Sequence, residues 1–247
     1  MPFSFAHPAI VLPLIYVPRK WVSMTALIIG SIMPDAESYL RMYSHKDITH
    51  SWIGFLVFGL PFGLLLTFVF HNIVRNTFVN NLPNIFYEKF SRFKTFDWNK
   101  RFLKNWIVVI SSLIIGGASH FFWDSFSHYD AWLMRTFPSL QGDIRVSGKL
   151  LEIPFLVQYV STLLGIIVII VCVAALPRRK EMKRPTPSFK FWIAIAMTAT
   201  VIFFGRNLFM RNLKLDDQLV GLASAFFYAL VIVTMVFPKQ ETPKLPS

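Results

Sequence analysis

Five long apolar runs dominate the pattern of hydrophobic and polar positions along the chain. They cover residues 52–70, 106–123, 155–176, 189–204 and 219–237, each close to the ~20 residues that a helix needs to cross a bilayer. Two shorter apolar segments, 3–17 and 21–33, flank Pro18-Arg19-Lys20 and predict a short helical hairpin. The pattern therefore predicts an all-α fold, a polytopic membrane helix bundle with about seven membrane helices.

The N-terminal hairpin leaves two arrangements open. It is either re-entrant or crosses a locally thinned bilayer, and a backbone interrupted by Pro8, Pro13 and Pro18 is tolerable there only when packed against protein. The segment has no basic n-region and no small-residue cleavage site, so we expect it to be retained rather than removed as a signal peptide. We expect one membrane domain over residues 1–247, with the candidate chemistry in 1–165 and mainly topology in 166–247.

Composition supports the membrane class, because 54% hydrophobic residues and 26 Phe exceed what a soluble core needs. The single cysteine, Cys172, excludes an intrachain disulfide. Glycine-rich phosphate loops, Cys-x-x-Cys pairs and Gly-x-Ser-x-Gly elbows do not occur in the sequence. Nucleotide hydrolysis, thiolate zinc sites and serine-esterase chemistry are therefore not favoured.

The net charge of +12 is explained by topology rather than by nucleic-acid binding. Just over half of the 25 basic residues lie in the connections 72–104 and 177–190, which the positive-inside rule assigns to the cytoplasm. This orientation predicts a bacterial inner-membrane protein with its N-terminus outside and its C-terminus in the cytoplasm. The aromatic and basic residues of 72–104 are typical of a segment that lies on anionic lipid, so the expected partners are membrane lipids and not nucleic acid.

The densest candidate chemistry lies where the second long apolar run ends. His120, Asp124 and His128 recur every four residues, so a continuing helix would present all three on one side. Such convergence is typical of a metal site near the membrane surface. The alternative is that His120 and Asp124 only cap or snorkel at a helix end.

Other histidines and aspartates are expected at the same external face. We predict that His7, Asp35, His50, His120 and Asp124 bind one or two divalent metal ions, with zinc as the leading candidate. His45 and Asp47 are expected to support the ligands or to face a substrate. His71 is left on the opposite side, where we expect an interfacial cap.

The expected reaction is hydrolysis. A bound zinc ion lowers the pKa of its water from ~15.7 to ~7, while Asp124 and His128 would manage protons as catalytic groups. Aromatic residues near the site favour a lipid or lipid-linked ester or phosphoester that arrives from the membrane; they are Phe121, Phe122, Trp123 and Trp132.

Several of these motifs carry a family resemblance. The segments Met1-Pro-Phe-Ser-Phe-Ala-His7-Pro8-Ala, Gly30-Ser-Ile-Met-Pro34-Asp35, Thr49-His50-Ser51 and Gly116-Gly-Ala-Ser-His120 through His128 resemble the bacterial domain-of-unknown-function family 4184, from residue 1 to about 165. Pro34-Asp35, Thr49-His50-Ser51 and His120 to Asp124 are more distantly similar to membrane-bound metal-dependent hydrolases. That similarity implies hydrolysis. Glu37 stands where the wider group often has a second aspartate, which leaves the number of metal ions open.

Two other functions use the same cluster. A structural metal-binding membrane or assembly protein would hold the ion without turnover. A proton- or ion-coupled transporter would use the His and Asp residues as a relay, but it predicts polar residues deep within the helices. The apolar runs are nearly free of charge at mid-depth, which favours hydrolysis over transport.

Overall fold

A computed structural model describes residues 4–45, 47–126, 131–146, 149–179 and 186–237. Five of its helices are long and apolar enough to cross a membrane, so the chain is a mainly helical, polytopic membrane protein, as the apolar runs predict. We number these helices α1 (Trp52–Asn81), α2 (Trp98–Asp124), α3 (Ile153–Ala175), α4 (Phe189–Phe209) and α5 (Leu215–Val236).

The residues before α1 form short helical pieces, in agreement with the predicted N-terminal hairpin. None of the described pieces approaches the length of a membrane span, because Pro8 and Pro13 remove backbone donors within the first arm. The pieces are the 3₁₀ turns Ser4–Ala6, Leu12–Tyr16 and Met33–Asp35 and the α-helices Pro8–Val11, Met24–Gly30 and Ala36–Arg41.

Helix α1 is continuous but contains two wider π turns, Phe55–Gly59 and Phe70–Val74. The first of them ends two residues before Pro61, whose ring removes a backbone donor from the helical ladder. The helix runs well beyond residue 70, where the predicted span ends. The polar residues that follow reduce hydropathy without breaking the helix, so the apolar pattern underestimates its length.

Helix α2 begins at Trp98 and is interrupted at Asn105, where φ is −140° and ψ is 36°. The apolar run that predicts this span begins at 106, directly after the interruption. Asp124 is the last residue of the helix, so His120 lies one turn before the helix end.

The chain divides into two compact units. The first contains Met1–Ala36, Asp47–Leu64 and Asn105–Ala175, and the second contains Glu37–Lys46, Leu65–Lys104 and Leu176–Ser247. All five predicted metal ligands belong to the first unit. The organisation as one membrane domain stays a prediction.

Small residues allow close packing in the first unit. A Cβ atom on Gly30 would overlap the backbone of Leu113, and one on Gly116 would overlap the backbone of Leu27. The helix Met24–Gly30 therefore packs directly against α2 along a glycine contact. Gly165 of α3 meets Ala6 in the same way, since an added Cβ would lie 2.9 Å from the Ala6 Cβ.

The first unit also contains a small β-hairpin that the all-α prediction does not anticipate. Strands β1 (Asp143–Val146) and β2 (Lys149–Glu152) are antiparallel, and Asp143 pairs with Glu152. The short helices Trp132–Thr136 and Pro138–Gln141 precede the hairpin.

In the second unit, α4 and α5 pack around an apolar cluster. Its buried members are Val74, Phe191, Ile195, Ala229, Leu230 and Val233. Gly221 leaves room for the buried Arg206 guanidinium, which donates to the carbonyl of Asp217 at 2.7 Å and to Gln218 Oε1 at 3.1 Å. The helices Asn84–Phe90 and Ser91–Phe93 also belong to this unit.

Candidate metal centre

Five side chains from four separate segments meet in the first unit. His7, Asp35 and His120 offer ligand atoms that all lie within 4.8 Å of one another, and so do His50, His120 and Asp124. The two groups share His120. All five residues that the sequence singles out as metal ligands are therefore brought together.

Each of these five candidate ligands lies where a helical element begins or ends. His7 directly precedes the helix Pro8–Val11, and Asp35 ends the 3₁₀ turn Met33–Asp35. His50 precedes Ser51, whose hydroxyl caps the first turn of α1 by accepting from the Gly54 N–H at 3.0 Å. His120 and Asp124 lie on the last turn of α2, four residues apart and on the same side.

Asp124 is the centre of the cluster. Its Oδ1 lies 3.1 Å from His7 Nε2, and its Oδ2 lies 2.9 Å from His50 Nε2 and 3.3 Å from His120 Nε2. Asp35 Oδ1 is 3.9 Å from His50 Nε2 and 3.8 Å from His120 Nε2. Ligands of one ion at about 2.1 Å lie roughly 3–3.6 Å apart, so these spacings are close to those of a metal site.

The tautomers of two histidines follow from their partners. His7 Nδ1 lies 3.1 Å from the carbonyl oxygen of Ser4, and His120 Nδ1 lies 2.8 Å from that of Ser31. A carbonyl oxygen only accepts, so both Nδ1 atoms carry the proton. In each neutral ring Nε2 is then an unprotonated acceptor, the form that binds a metal.

With these tautomers, two hydrogen-bond acceptor atoms lie next to each other without a proton between them. His7 Nε2 and Asp124 Oδ1 both carry lone pairs at a separation of 3.1 Å, an arrangement that needs a positive species between the two atoms. In the part of the chain that the structure describes, the buried His120 Nε2 also has no hydrogen-bond partner. Either a proton or a metal ion would satisfy these atoms.

The charges in this environment are compatible with a metal ion. The His7 and His120 rings stack with their centroids 3.9 Å apart and an interplanar angle of 16°. Protonating both rings would place two positive charges against each other, whereas one divalent ion would balance the two buried carboxylates, Asp35 and Asp124. The nitrogen and oxygen donor set suits zinc and related divalent ions.

Ser4 contacts two of these candidate ligands. Its hydroxyl donates to Asp35 Oδ2, and its carbonyl accepts from His7 Nδ1. Asp35 Oδ1 is then left on the side of His120 and His50. One small residue thus links ligands that lie far apart in the sequence, which is the usual task of residues behind a metal ligand.

Two further contacts hold the Asp35 segment. The hydroxyl of the buried Thr49 donates to the carbonyl of Pro34 at 2.8 Å, which ties the turn before His50 to the residue before Asp35. The glycine contact between Gly30 and Gly116 brings Ser31 to α2, where its carbonyl meets His120. The small and hydroxyl residues in the sequence motifs therefore support the ligands.

His50 is the most exposed of the five ligands. Its side chain is 18% exposed, against 0–5% for the other four. Phe121 lies beside it with a ring-centroid distance of 5.7 Å, and Trp52 packs on Phe121 at 4.7 Å. The most exposed side of the cluster is therefore bordered by aromatic rings, of which Trp52 is half exposed.

The other residues singled out from the sequence lie elsewhere. His128 is outside the described residues. Within the described ranges, His45 and Asp47 join neither ligand group. The backbone N–H of His45 donates to Ser38 Oγ at 3.1 Å, and Asp47 is exposed. Glu37 pairs with Arg41 at 3.0 Å, and His71 is buried in the second π turn of α1 rather than at a helix end.

Sequence reasoning missed Ser4 and Ser31 as supporting residues. Ser31 acts through its backbone carbonyl, which no residue type reveals. The sequence gives a weak indication of the role of Ser4, since it is a polar residue in an apolar segment and lies three positions before His7. Its link to Asp35 depends on the fold.

The fold and the cluster define a polytopic helical membrane protein with a buried histidine–aspartate site. The chain belongs to the family described as a domain of unknown function (DUF4184), which matches residues 1–235. The match covers the site and nearly the whole chain, so the family assignment is confirmed, and it extends beyond residue 165 to residue 235 in α5. No curated protein and no solved structure matches the chain.

Proposed function

We propose that this protein is a membrane-integral, metal-dependent hydrolase that acts on a lipid or lipid-linked ester or phosphoester at the external face of the bacterial inner membrane. The observation that carries the proposal is the convergence of three histidine Nε2 atoms and two carboxylates in one buried cluster. Zinc is the ion that we favour, because imidazole and carboxylate are its common ligands in catalytic sites.

The histidines and aspartates of the cluster would have different roles in this reaction. His7 and His120 present fixed Nε2 atoms because their Nδ1 protons are committed to carbonyls. Asp35 is held by a hydrogen bond from Ser4. Asp124 lies between the histidines, where it would bind the metal ion or accept a proton. A divalent ion bound there would supply Lewis acidity and a water that is acidic enough to react near neutral pH.

The open edge at His50 favours catalysis over a purely structural metal. Structural sites are closed by protein ligands, whereas catalytic sites keep a position that water or substrate reaches. His50 provides such an edge, since the other ligands are almost fully buried.

The same edge favours a substrate with an apolar body. Phe121 and the half-exposed Trp52 border His50, and Phe122 is also half exposed. An ester or phosphoester group at lipid headgroup depth could reach the cluster while its apolar chains remain in the bilayer. A lipid substrate explains why the hydrolytic site would be built into membrane helices.

Metal content is the first experiment. We would compare wild type with His120→Ala and His50→Ala in detergent, using elemental mass spectrometry, with His45→Ala as the matched histidine control. We expect near-stoichiometric metal in wild type and the control, and loss in both site variants. His50→Ala protects the test against misfolding, because its side chain is the least buried of the ligands. A folded wild type that stays free of metal after supplementation would contradict the proposal.

Turnover then separates hydrolysis from its two rivals. Hydrolysis of lipid esters or phosphoesters by wild type, lost in His50→Ala, supports the proposal. Tight metal without turnover over a broad lipid panel would favour a structural metal protein. Metal- or proton-coupled uptake by proteoliposomes without hydrolysis would favour a transporter.

A further inference from the structure

A second polar cluster lies in the other unit, around Arg75 near the end of α1. Arg75 is 7% exposed and Lys94 is 5% exposed. Arg75 Nη2 donates to the carbonyl of Lys94 at 3.2 Å, and Arg75 Nη1 donates to the carbonyl of Phe96 at 2.7 Å. The two basic residues therefore belong to one buried arrangement.

This arrangement has positive charge without a paired acid. Neither Arg75 nor Lys94 makes an ion pair with any residue that the structure describes. Asp97, the acidic residue that follows Lys94 in the sequence, is half exposed and pairs with Lys100 at 3.4 Å. Burial lowers the pKa of the Lys94 ammonium, and the Arg75 charge lowers it further. Burying a cation without a counter-ion is costly, so the cluster calls for one.

The cluster also has more hydrogen-bond donors than acceptors. Arg75 has five N–H groups, and its contacts with Asn76, His71, Phe96 and Lys94 use four of them. The Lys94 ammonium donates to Asn80 Oδ1 and lies 5.5 Å from the centre of the Tyr87 ring. That leaves further charged N–H groups for a ligand.

Two neutral donors nearby are unused as well. The indole N–H of Trp98 and the hydroxyl of Ser91 are buried and lack a hydrogen-bond partner among the described residues. Trp98 stacks on His71 with a centroid distance of 4.5 Å, and His71 accepts from Arg75. Ser91 begins the short turn that leads to Lys94, whose N–H donates to the Ser91 carbonyl. A surplus of donors around two cations fits a ligand that is anionic and only accepts.

We propose that Arg75 and Lys94 bind one phosphate group, carried either by an anionic phospholipid or as free phosphate. A phosphate offers several acceptor oxygens and negative charge, which match the unused N–H groups of the cluster. The helix Asn84–Phe90 between the two basic residues exposes Ile85 and Phe86. These apolar side chains favour contact with lipid, where phosphate groups are abundant.

The test is thermal unfolding of delipidated full-length protein in non-ionic detergent. One arm compares potassium phosphate with potassium chloride at equal ionic strength, and the other compares phosphatidylglycerol with diacylglycerol at equal mole fraction. We expect at least one phosphate source to raise the melting temperature of wild type by roughly 3 °C or more over its control. The arm that responds identifies the source.

Lys94→Met tests the assignment, and Lys104→Met is the control because Lys104 is an exposed lysine of the same unit. We expect the shift to fall by at least half in Lys94→Met and to persist in Lys104→Met. Trp98→Phe keeps the stacked ring and removes the N–H, so it replaces Lys94→Met if that variant does not fold. The proposal is overturned if neither source exceeds its control, or if the tested site variant keeps the wild-type shift.

Discussion

The Nδ1 atom of His120 donates to the backbone carbonyl of Ser31 at a distance of 2.8 Å. This contact depends on the close packing of the helix Met24–Gly30 against α2, since Ser31 follows Gly30 and His120 lies one turn beyond Gly116. The glycine contact thus brings the Ser31 carbonyl to His120 Nδ1, while His120 Nε2 faces Asp124. We therefore expect that a change in the packing at Gly116 would also affect metal binding by His120.

Gly116→Ala should therefore weaken both the fold and the metal site. The added Cβ would overlap the backbone of the facing helix, where flexible side chains do not take up the strain, so we expect a loss of about 1–3 kcal/mol in the free energy of unfolding. Thermal unfolding and metal content measure the two effects. Gly205→Ala is the control, because a Cβ there meets nothing within 4 Å and a helical Gly→Ala change is neutral or stabilising. Equal stability and metal content in the two variants would contradict the coupling.

Ser4→Ala should lower metal affinity with little change in the ligands themselves. It removes the hydroxyl that orients Asp35 but keeps the carbonyl that binds His7. Loss of such supporting groups typically lowers metal affinity 10–100-fold, which competition with a chelating indicator measures. Ser161→Ala is the matched control, since its hydroxyl donates to the Gln158 carbonyl within α3. Partial recovery of metal affinity in Ser4→Thr would identify the hydroxyl as the cause. Unchanged metal affinity in Ser4→Ala would contradict a role of this hydroxyl in orienting Asp35.

The number of metal ions should be one per chain. Both groups of ligand atoms need His120, and His120 has only Nε2 to offer because Nδ1 is bound to Ser31. One imidazole nitrogen binds one ion, so the two groups describe alternative ligand sets of a single site. Equilibrium dialysis of metal-free protein, followed by elemental analysis, should saturate near one ion. Saturation near two would contradict this prediction and would require ligands beyond the two groups that share His120.

The sequence predicts much of this arrangement because its main features are local. Apolar runs predict the five spans, and the four-residue spacing of His120 and Asp124 predicts a shared helix face. The distances between His7, Asp35, His50 and α2 depend on tertiary packing, so the sequence supports only an expectation that they share a membrane face. The hairpin β1–β2 and the extension of α1 to Asn81 were missed, because short strands and polar helical turns leave little trace in hydropathy.

The predicted membrane orientation rests on the charge distribution alone and can be tested chemically. We expect Ile48 and Arg211 outside and Thr95 in the cytoplasm, since residues 72–104 and 177–190 hold most of the basic charge. All three side chains are exposed, so Cys172→Ala would provide a background for single-cysteine reporters. A membrane-impermeant maleimide on intact spheroplasts should label Ile48→Cys and Arg211→Cys, and should label Thr95→Cys only after permeabilisation. Because Ile48 lies two residues before His50, the reverse pattern would place the cluster on the cytoplasmic side and replace external lipids with cytoplasmic-leaflet lipids as candidate substrates.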